Sequence, residues 1–304
     1  MEKKQLGKSD LMVSSIALGC MSLGTDSKQA VNVIDEALDL GINYLDTADL
    51  YDQGLNEEMV GKAIENKRKD IILATKVGNH LKEDGSWFWD PSKSYIKEQV
   101  KKSLKRLRTD YIDLYQLHGG TIEDPIPETI EAFEELVKEG VIRYYGISSI
   151  RPNVIREFMN KSNIVSVMMQ YSILDRRPEE IMLKELADQQ ISVVTRGSLA
   201  KGMLSQNGPD IIEQKAHKGY LDYDQSNLND TVSQLQQLLR PNQTLNGLAL
   251  NYVLNNQAVT SVVSGASGTE QLRENVEAIN QSFNQEQLDK TKSIALANTY
   301  HQHR

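Results

Sequence analysis

The feature of this sequence that most limits its possible folds is a regular alternation of short apolar runs with longer segments of helical period. Eight apolar runs predict strands, at residues 16–19, 42–45, 71–75, 111–117, 144–147, 165–169, 192–195 and 261–263. Apolar residues recur at helical spacing over 28–40, 56–65, 94–107 and 127–138. Such alternation predicts a parallel sheet, and eight units within 304 residues favour a closed barrel over an open sheet. We therefore predict an α/β fold, a (β/α)8 TIM barrel that forms a single domain over residues 1–304.

The segments outside this alternation predict a cap and two long loops. Turn-forming residues flank Leu11 and Val13 within residues 3–15, which predicts an N-terminal β-hairpin cap. Residues 79–91 and 197–227 are longer than strand-to-helix connectors need to be, so we expect functional or disordered strand-end loops there. No Gly-x-Gly-x-x-Gly motif follows a strand, which removes the usual sequence indication of a Rossmann domain.

Composition and charge exclude several classes of protein. The net charge is −8, the pI is about 5.3 and no long basic cluster occurs, so we expect no nucleic-acid partner. The single cysteine, Cys20, excludes an intrachain disulfide and a cysteine metal site, and we predict that it is buried. No signal-peptide pattern and no run of roughly 20 apolar residues is present, so we predict a cytoplasmic protein without membrane contact. The polar surface fits a monomer or a modest assembly and leaves the oligomeric state open.

Polar side chains follow three neighbouring predicted strands. Asp46 and Tyr51 come after the second strand, Lys76 ends the third, and His118 follows the fourth. The carboxyl ends of barrel strands meet on one face, where enzymes of this fold carry out their chemistry. Taken singly, each residue has an ordinary structural explanation as a loop cap, a packing phenol, a snorkelling ammonium or a carbonyl-bound imidazole. Their joint occurrence at successive strand ends favours a site.

These four side-chain types match the requirements of carbonyl reduction. The reaction needs a hydride donor and a proton source for the alkoxide that develops on oxygen. A free tyrosine has a pKa of about 10 and is a poor acid–base group near neutrality unless a cation stabilises its phenolate. Lys76 is placed to be that cation and Asp46 would hold it. His118 could hydrogen-bond the substrate carbonyl and orient it.

A glycine-rich turn after the last strand offers a phosphate site. The segment Gly265-Ala266-Ser267-Gly268 leads into a predicted helix that begins near Thr269. Backbone N–H groups at such a helix start can bind phosphate, at the place where barrels commonly hold it. An ordinary strand-to-helix turn could carry the same glycines, so the segment indicates a phosphate site only in combination with the polar residues at the other strand ends.

Together these motifs resemble the aldo-keto reductase superfamily over residues 6–275. Asp46-Thr47-Ala48 with Tyr51 resembles the family's Asp-Thr-Ala-x-x-Tyr signature, residues 74–76 resemble its lysine strand, and residues 113–118 its histidine strand. The resemblance implies that Tyr51 is the proton donor, that Lys76 and Asp46 assist it, and that His118 orients the carbonyl.

The resemblance also implies a nicotinamide cofactor across the barrel mouth. Residues 199–204 resemble the loop that closes over the cofactor, and residues 264–275 resemble the segment that holds the adenosine 2′-phosphate and the adenine. The implied cofactor contacts are Ser148, Ser149, Gln170, Arg196, Gly197, Leu199, Lys201, Gly202, Gly265, Ser267, Gln271, Glu274 and Asn275.

Two positions depart from the family pattern. Arg196 stands where many members have an aromatic residue that stacks on the nicotinamide; a guanidinium can also stack, but it brings charge. Ser267-Gly268 lacks the Lys or Arg that many NADPH-preferring members place near the 2′-phosphate. Ser267 and Gln271 do resemble the uncharged phosphate site of the potassium-channel β-subunit branch. We therefore predict NADPH as the cofactor, with NADH as the alternative.

The function predicted from the sequence is reduction of small aldehydes or ketones to alcohols with hydride from NADPH and without a metal. A cofactor-sensing partner protein with slow turnover is one alternative, and a Schiff-base aldolase that uses Lys76 is another. Trp87 and Trp89 are predicted to contact substrate as part of an apolar wall, although they could equally pack against the barrel rim.

Overall fold

The computed structural model describes residues 1–24 and 26–304 and contains a closed barrel of eight parallel strands surrounded by helices. The strands are β1 (Lys3–Gln5), β2 (Met12–Ser14), β3 (Ile16–Gly19), β4 (Tyr44–Asp46), β5 (Ile72–Val77), β6 (Asn79–Leu81), β7 (Trp87–Trp89), β8 (Ile112–Leu117), β9 (Ile142–Ser148), β10 (Ser166–Gln170), β11 (Ser192–Arg196) and β12 (Val259–Gly265). The helices are α1 (Ser27–Asp39), α2 (Leu55–Ile64), α3 (Lys93–Leu107), α4 (Ile126–Lys138), α5 (Pro152–Lys161), α6 (Met182–Asp188), α7 (Gly208–Lys215), α8 (Gln225–Gln237), α9 (Leu245–Leu254), α10 (Thr269–Ile279) and α11 (Gln285–Ile294).

The barrel strands follow one another around the barrel in chain order. They are β3, β4, β5, β8, β9, β10, β11 and β12, and β12 pairs with β3 to close the ring. This order is the simplest one that right-handed strand–helix–strand units can build. The predicted TIM barrel is therefore confirmed.

Several helices begin where a side chain can satisfy the free N–H groups of the first turn. Asp26 accepts from the backbone N–H groups of Lys28 and Gln29 at the start of α1. Ser92 caps α3 in the same way, and Thr244 caps α9. Among the residues that the structure describes, no helix has both the length and the apolar composition needed to cross a membrane.

Alternation along the strands sorts side chains between two apolar clusters. Leu18, Leu45 and Leu73 belong to the cluster between the barrel and its helices. Tyr44, Ala74 and Leu114 belong to a second cluster, together with neighbours from other barrel strands. Because side chains alternate with a period of two, the next residues on the face of this second cluster are those at positions 46, 76 and 116.

The N-terminal hairpin contributes to the second cluster. Strands β1 and β2 pair antiparallel, as predicted, and Leu6, Leu11 and Val13 are buried against interior barrel residues. The hairpin therefore supplies apolar side chains to the end of the barrel opposite the carboxyl ends of the strands. Cys20 is buried, which confirms the prediction for that residue.

The two segments treated as long loops contain more regular structure than the sequence pattern indicated. Within residues 79–91, β6 and β7 form an antiparallel hairpin, in which the ring of His80 stacks on Phe88 at 4.5 Å and on Tyr95 of α3 at 4.2 Å. Residues 197–227 include α7 and the first residues of α8. The periodicity of α7 is weak in the sequence because few of its residues are buried, Ile212 among them.

Candidate active site

A cavity of about 850 Å³ opens at the carboxyl ends of the barrel strands. Asp46, Tyr51, Lys76 and His118 all line it. The first ends β4, Tyr51 follows in the loop after that strand, Lys76 lies near the end of β5, and His118 comes directly after β8. The structure thus brings together all four residues that the strand-end pattern singled out.

A buried ion pair lies at the base of this cavity. The Lys76 ammonium donates to the Asp46 carboxylate and to the backbone oxygen of Thr47, the latter at 2.8 Å. Gln116 donates from Nε2 to the other Asp46 oxygen at 3.2 Å. Burial disfavours the charged amine, yet the negative charge of Asp46 and the neighbouring Tyr51 raise the pKa of Lys76 above its ordinary value. Lys76 is therefore an ammonium at neutral pH.

Tyr51 lies above this ammonium. The Lys76 Nζ atom is 5.2 Å from the centroid of the Tyr51 ring, and the His118 ring meets Tyr51 edge-on at 5.8 Å between centroids. Tyr51 opens a short turn in which Asp52, Gln53 and Gly54 all have left-handed backbone angles. Such angles are unfavourable for non-glycine residues, so the surrounding packing must hold this turn in place.

His118 is a neutral imidazole in this setting. Burial, and after it the positive charges of Lys76 and Arg196, lower the pKa of His118 to about 3. Its Nδ1 atom is buried and has no hydrogen-bond partner among the described residues. A neutral imidazole carries one N–H, which it can donate to an oxygen in the cavity.

The hairpin of β6 and β7 forms one wall of the cavity, with Trp87 and Trp89 among the lining residues. Trp89 donates from its indole N–H to both oxygens of Asp124 at 3.0 Å. Its ring also packs on two glycines with positive φ, Gly78 and Gly119, where an added Cβ would lie 2.6 and 3.2 Å from ring carbons. Trp89 is therefore fixed against the strand ends, whereas Trp87 is 53% exposed.

A second cavity of about 640 Å³ adjoins the first and shares Ser22, Gly197, Val263 and Gly265 with it. Of the residues predicted to contact a cofactor, those that line the first cavity are Ser148, Ser149, Arg196, Gly197 and Gly265. Those that line the second are Gly197, Leu199, Lys201, Gly202, Gly265, Gln271, Glu274 and Asn275. Gln170 and Ser267 line neither; Gln170 bonds Arg196 and Tyr220, and Ser267 bonds Gln271.

The second cavity has donors that could hold the nucleotide part of a cofactor. It continues the first cavity along β12 and offers the Lys201 ammonium beside amide side chains of Gln271 and Asn275. Asn275 is held by a bond from Nδ2 to the Ser264 hydroxyl at 3.0 Å. The one arginine within residues 264–275, Arg273, forms a bidentate ion pair with Glu36 instead.

A buried polar cluster behind the cavity was not found from the sequence. Asp49 is fully buried, and neither of its carboxyl oxygens has a well-formed hydrogen bond among the described residues, although Gln99 and the Leu50 backbone lie close enough to lower its pKa. Glu57 accepts from Thr75 at 2.6 Å and pairs with Arg106. Burial, and then the negative charge of Glu57, raise the pKa of Asp49 to about 8 in spite of Arg106.

Two further residues of the site were missed, Gln116 beneath the cavity and Arg151 in its wall. Gln116 could have been found, because it lies two residues before His118 and so shares the interior face of β8. Arg151 lines the cavity, where its Nη1 donates to the Gly120 oxygen at 2.5 Å. No strand end or motif in the sequence marks Arg151.

The fold and this cavity define a (β/α)8-barrel enzyme with its polar site at the carboxyl ends of the strands. The sequence model of the Aldo/keto reductase family matches residues 15–296, and the chain belongs to this family. It is therefore an oxidoreductase that acts on small carbonyl compounds with a nicotinamide cofactor.

Individual relatives agree with this membership. The chain is 57% identical to "Uncharacterized oxidoreductase YqkF" of Bacillus subtilis, over 100% of both chains. It is 32% identical to the NADH-specific methylglyoxal reductase of Escherichia coli, over 92% of this chain and 94% of that one. The solved holo form of the aldo-keto reductase AKR11C1 from Bacillus halodurans is 56% identical with a TM-score of 0.93, covering 100% of this chain and 99% of that one.

Proposed function

We propose that this protein reduces aldehydes or ketones to alcohols with NADPH and that Tyr51 is the proton donor. The observation that carries the proposal is the arrangement of Tyr51 between the Lys76 ammonium and the neutral His118 ring, in a cavity at the barrel mouth. The same cavity has room for a small carbonyl compound beside a cofactor ring.

The proposed proton transfer runs from the Tyr51 hydroxyl to the carbonyl oxygen as negative charge develops on it. The phenolate left behind is stabilised by the Lys76 ammonium, which Asp46 and the Thr47 backbone oxygen hold in position, while Gln116 donates to Asp46. His118 is neutral, so it can donate a hydrogen bond to the carbonyl oxygen without competing as an acid. Tyr51, Lys76, Asp46 and His118 are thus the proposed catalytic group.

For the cofactor, we propose that the second cavity holds the nucleotide through Lys201, Gln271 and Asn275, and that Ser148 and Ser149 of the first cavity lie near the nicotinamide. Gln170, which lines neither cavity, would reach the nicotinamide from beside Arg196. When bound, the reduced nicotinamide supplies the hydride. NADPH is placed ahead of NADH because Ser267 and Gln271, which are hydrogen-bonded to each other, resemble the uncharged 2′-phosphate site of the potassium-channel β-subunit branch. NADH is the alternative, and the NADH-specific relative from Escherichia coli gives it weight.

The charge state of Lys76 argues against the Schiff-base alternative. A lysine that attacks a carbonyl must be a free amine, whereas the neighbouring Asp46 keeps Lys76 protonated. We also propose that residues 1–304 form one domain, since both terminal segments pack on the barrel, and we retain the cytoplasm as the predicted location.

Two measurements test the proposal. The first is a titration with NADPH and with NADH, in which tryptophan fluorescence reports cofactor binding. The second measures the absorbance of the reduced nicotinamide in the presence of a panel of aldehydes. Binding and aldehyde-dependent oxidation are expected for the unaltered protein, with tighter binding of NADPH. Tyr51→Phe should bind the cofactor normally and lose turnover. Full activity of Tyr51→Phe would refute the assigned role, and equal or tighter NADH binding would refute the cofactor preference.

A further inference from the structure

The cavity at the barrel mouth carries an excess of positive charge. Four of its lining residues carry a formal charge at neutral pH: Asp46, Lys76, Arg151 and Arg196. Asp46 and Lys76 neutralise each other in their buried pair, and His118 is neutral. The two guanidinium groups are therefore left without balancing charge in the cavity wall.

Neither arginine is held by an acidic partner. Other arginines of the chain, such as Arg143, Arg156 and Arg176, form ion pairs with carboxylates. Among the residues described, no carboxylate pairs with Arg151 or Arg196; their bonds are to the neutral oxygens of Gly120 at 2.5 Å and Gln170 at 3.1 Å. A guanidinium has five N–H donors, so most donors of each group remain for a ligand.

The two arginines act at the reacting end of the cavity. Arg151 bonds the backbone of Gly120, two residues after His118, and Arg196 is one of the charges that lower the pKa of His118. The whole protein has a net charge of −8, so the positive charge of the cavity wall is opposite in sign to the charge of the protein as a whole. The wall with Trp87 and Trp89 adds no charged lining residue, since the Asp124 carboxylate behind it accepts from Trp89 and Thr121.

We infer that the preferred substrates are aldehydes or ketones that carry an anionic group, a carboxylate or a phosphate, which Arg151 binds while His118 and Tyr51 contact the carbonyl oxygen and Arg196 adds positive charge beside the cofactor. This inference rests on the proposed function and names the class of its substrate. The anionic group takes no part in the chemistry: hydride and proton add to the carbonyl, and the charge only fixes position and affinity.

The test compares matched substrates with the unaltered enzyme and its cofactor. Succinic semialdehyde is paired with butyraldehyde, and glyceraldehyde phosphate with glyceraldehyde, so that each pair differs in one anionic group. We expect kcat/KM for the anionic member of at least one pair to be higher by about tenfold or more. The pair that shows this difference identifies whether the recognised group is a carboxylate or a phosphate. This preference should shrink as the salt concentration rises, because screening weakens exposed charges.

Variants then assign the preference to Arg151. Arg151→Met should reduce the ratio of anionic to neutral kcat/KM by about tenfold, and Arg151→Lys should restore part of it. Lys161→Met is the control, because it removes one positive charge from the exposed far end of α5, the helix that begins directly after Arg151, and this end lies outside the cavity. Circular dichroism checks that Arg151→Met is folded.

The outcomes separate this inference from the proposed function. If neutral aldehydes are reduced and neither anionic member is preferred, the inference is overturned and the reductase function stands. The inference also fails if the preference exists but Arg151→Met leaves the ratio and its salt dependence unchanged. If no carbonyl compound oxidises either cofactor, both fail. Weaker cofactor binding by Arg151→Met with an unchanged substrate ratio would show that the arginine serves the cofactor instead.

Discussion

Asp49 should make the protein less stable as the pH rises, and Asp49→Asn should remove that effect. The carboxyl group is fully buried beside Glu57 and Arg106, and neither oxygen has a well-formed hydrogen bond among the described residues. Its pKa rises from 3.8 to about 8 in the folded protein, mainly through burial and then through Glu57. The folded state therefore holds this proton more tightly than the unfolded chain does.

The sign and size of the effect follow from that difference. A group whose pKa is raised on folding gives its full stability below the unfolded pKa and loses it as the pH approaches the folded one. Each pKa unit corresponds to about 1.4 kcal/mol. Between about pH 5 and about pH 8 the free energy of unfolding should thus fall by up to about 4 kcal/mol from this residue alone.

The assay is chemical denaturation of the unaltered protein and of Asp49→Asn, followed by circular dichroism across this pH range. Asparagine has nearly the same shape and does not ionise, so the variant should gain stability relative to the unaltered protein as the pH increases. Asp39→Asn, which removes an exposed carboxylate at the end of α1, should show no such trend. A stability difference that stays constant with pH, or that favours the unaltered protein at high pH, would refute the assigned protonation of Asp49.

Further predictions concern the cavity itself. Tyr51→Phe should lower kcat by about 10² to 10⁴-fold while the fluorescence-derived cofactor affinity stays the same. Lys76→Met should reduce kcat to a similar degree, because the phenolate loses its cation; steady-state kinetics that show less than about a tenfold loss would contradict this. Because the pKa of His118 is about 3, kcat/KM should show no break from this residue between about pH 5 and about pH 8, and a break that disappears in His118→Gln would contradict the neutral imidazole. Replacing Trp87 and Trp89 together by alanine should change the relative kcat/KM for small and bulky aldehydes, and an unchanged preference would indicate packing alone.

The barrel and the catalytic group were predictable from the sequence because both depend on short-range rules. Apolar runs fixed the strands, and polar residues directly after them identified Asp46, Lys76 and His118. A period of two along each strand explains why these side chains share the barrel interior, and it would have added Gln116. The structure within the predicted loops was not predicted, since the hairpin of β6 and β7 depends on contacts with α3 that no local pattern shows.

Residues that depend on distant partners were beyond this kind of prediction. Arg151 enters the cavity because it bonds the Gly120 backbone, and these two residues are 31 positions apart in the chain. The burial of Asp49 depends on α2 and α3, which bring Glu57 and Arg106 next to it. Sequence patterns report the face on which a side chain lies, and they carry no information about which distant group it meets.

The segment from Asp46 to Gly54 combines buried charged groups with left-handed backbone angles. Asp46 and its buried ion pair lie on the cavity side of the segment, while Asp49 meets the Glu57 and Arg106 cluster. Tyr51 lies next along the chain, just before residues with left-handed backbone angles, where Gly54 packs close to the Arg106 side chain. Arg106 therefore pairs with Glu57, lowers the charge penalty at Asp49 and supports the turn that follows Tyr51. Loss of Arg106 should accordingly disturb Tyr51 and stability together, a coupling expected where an active site is built on strained backbone.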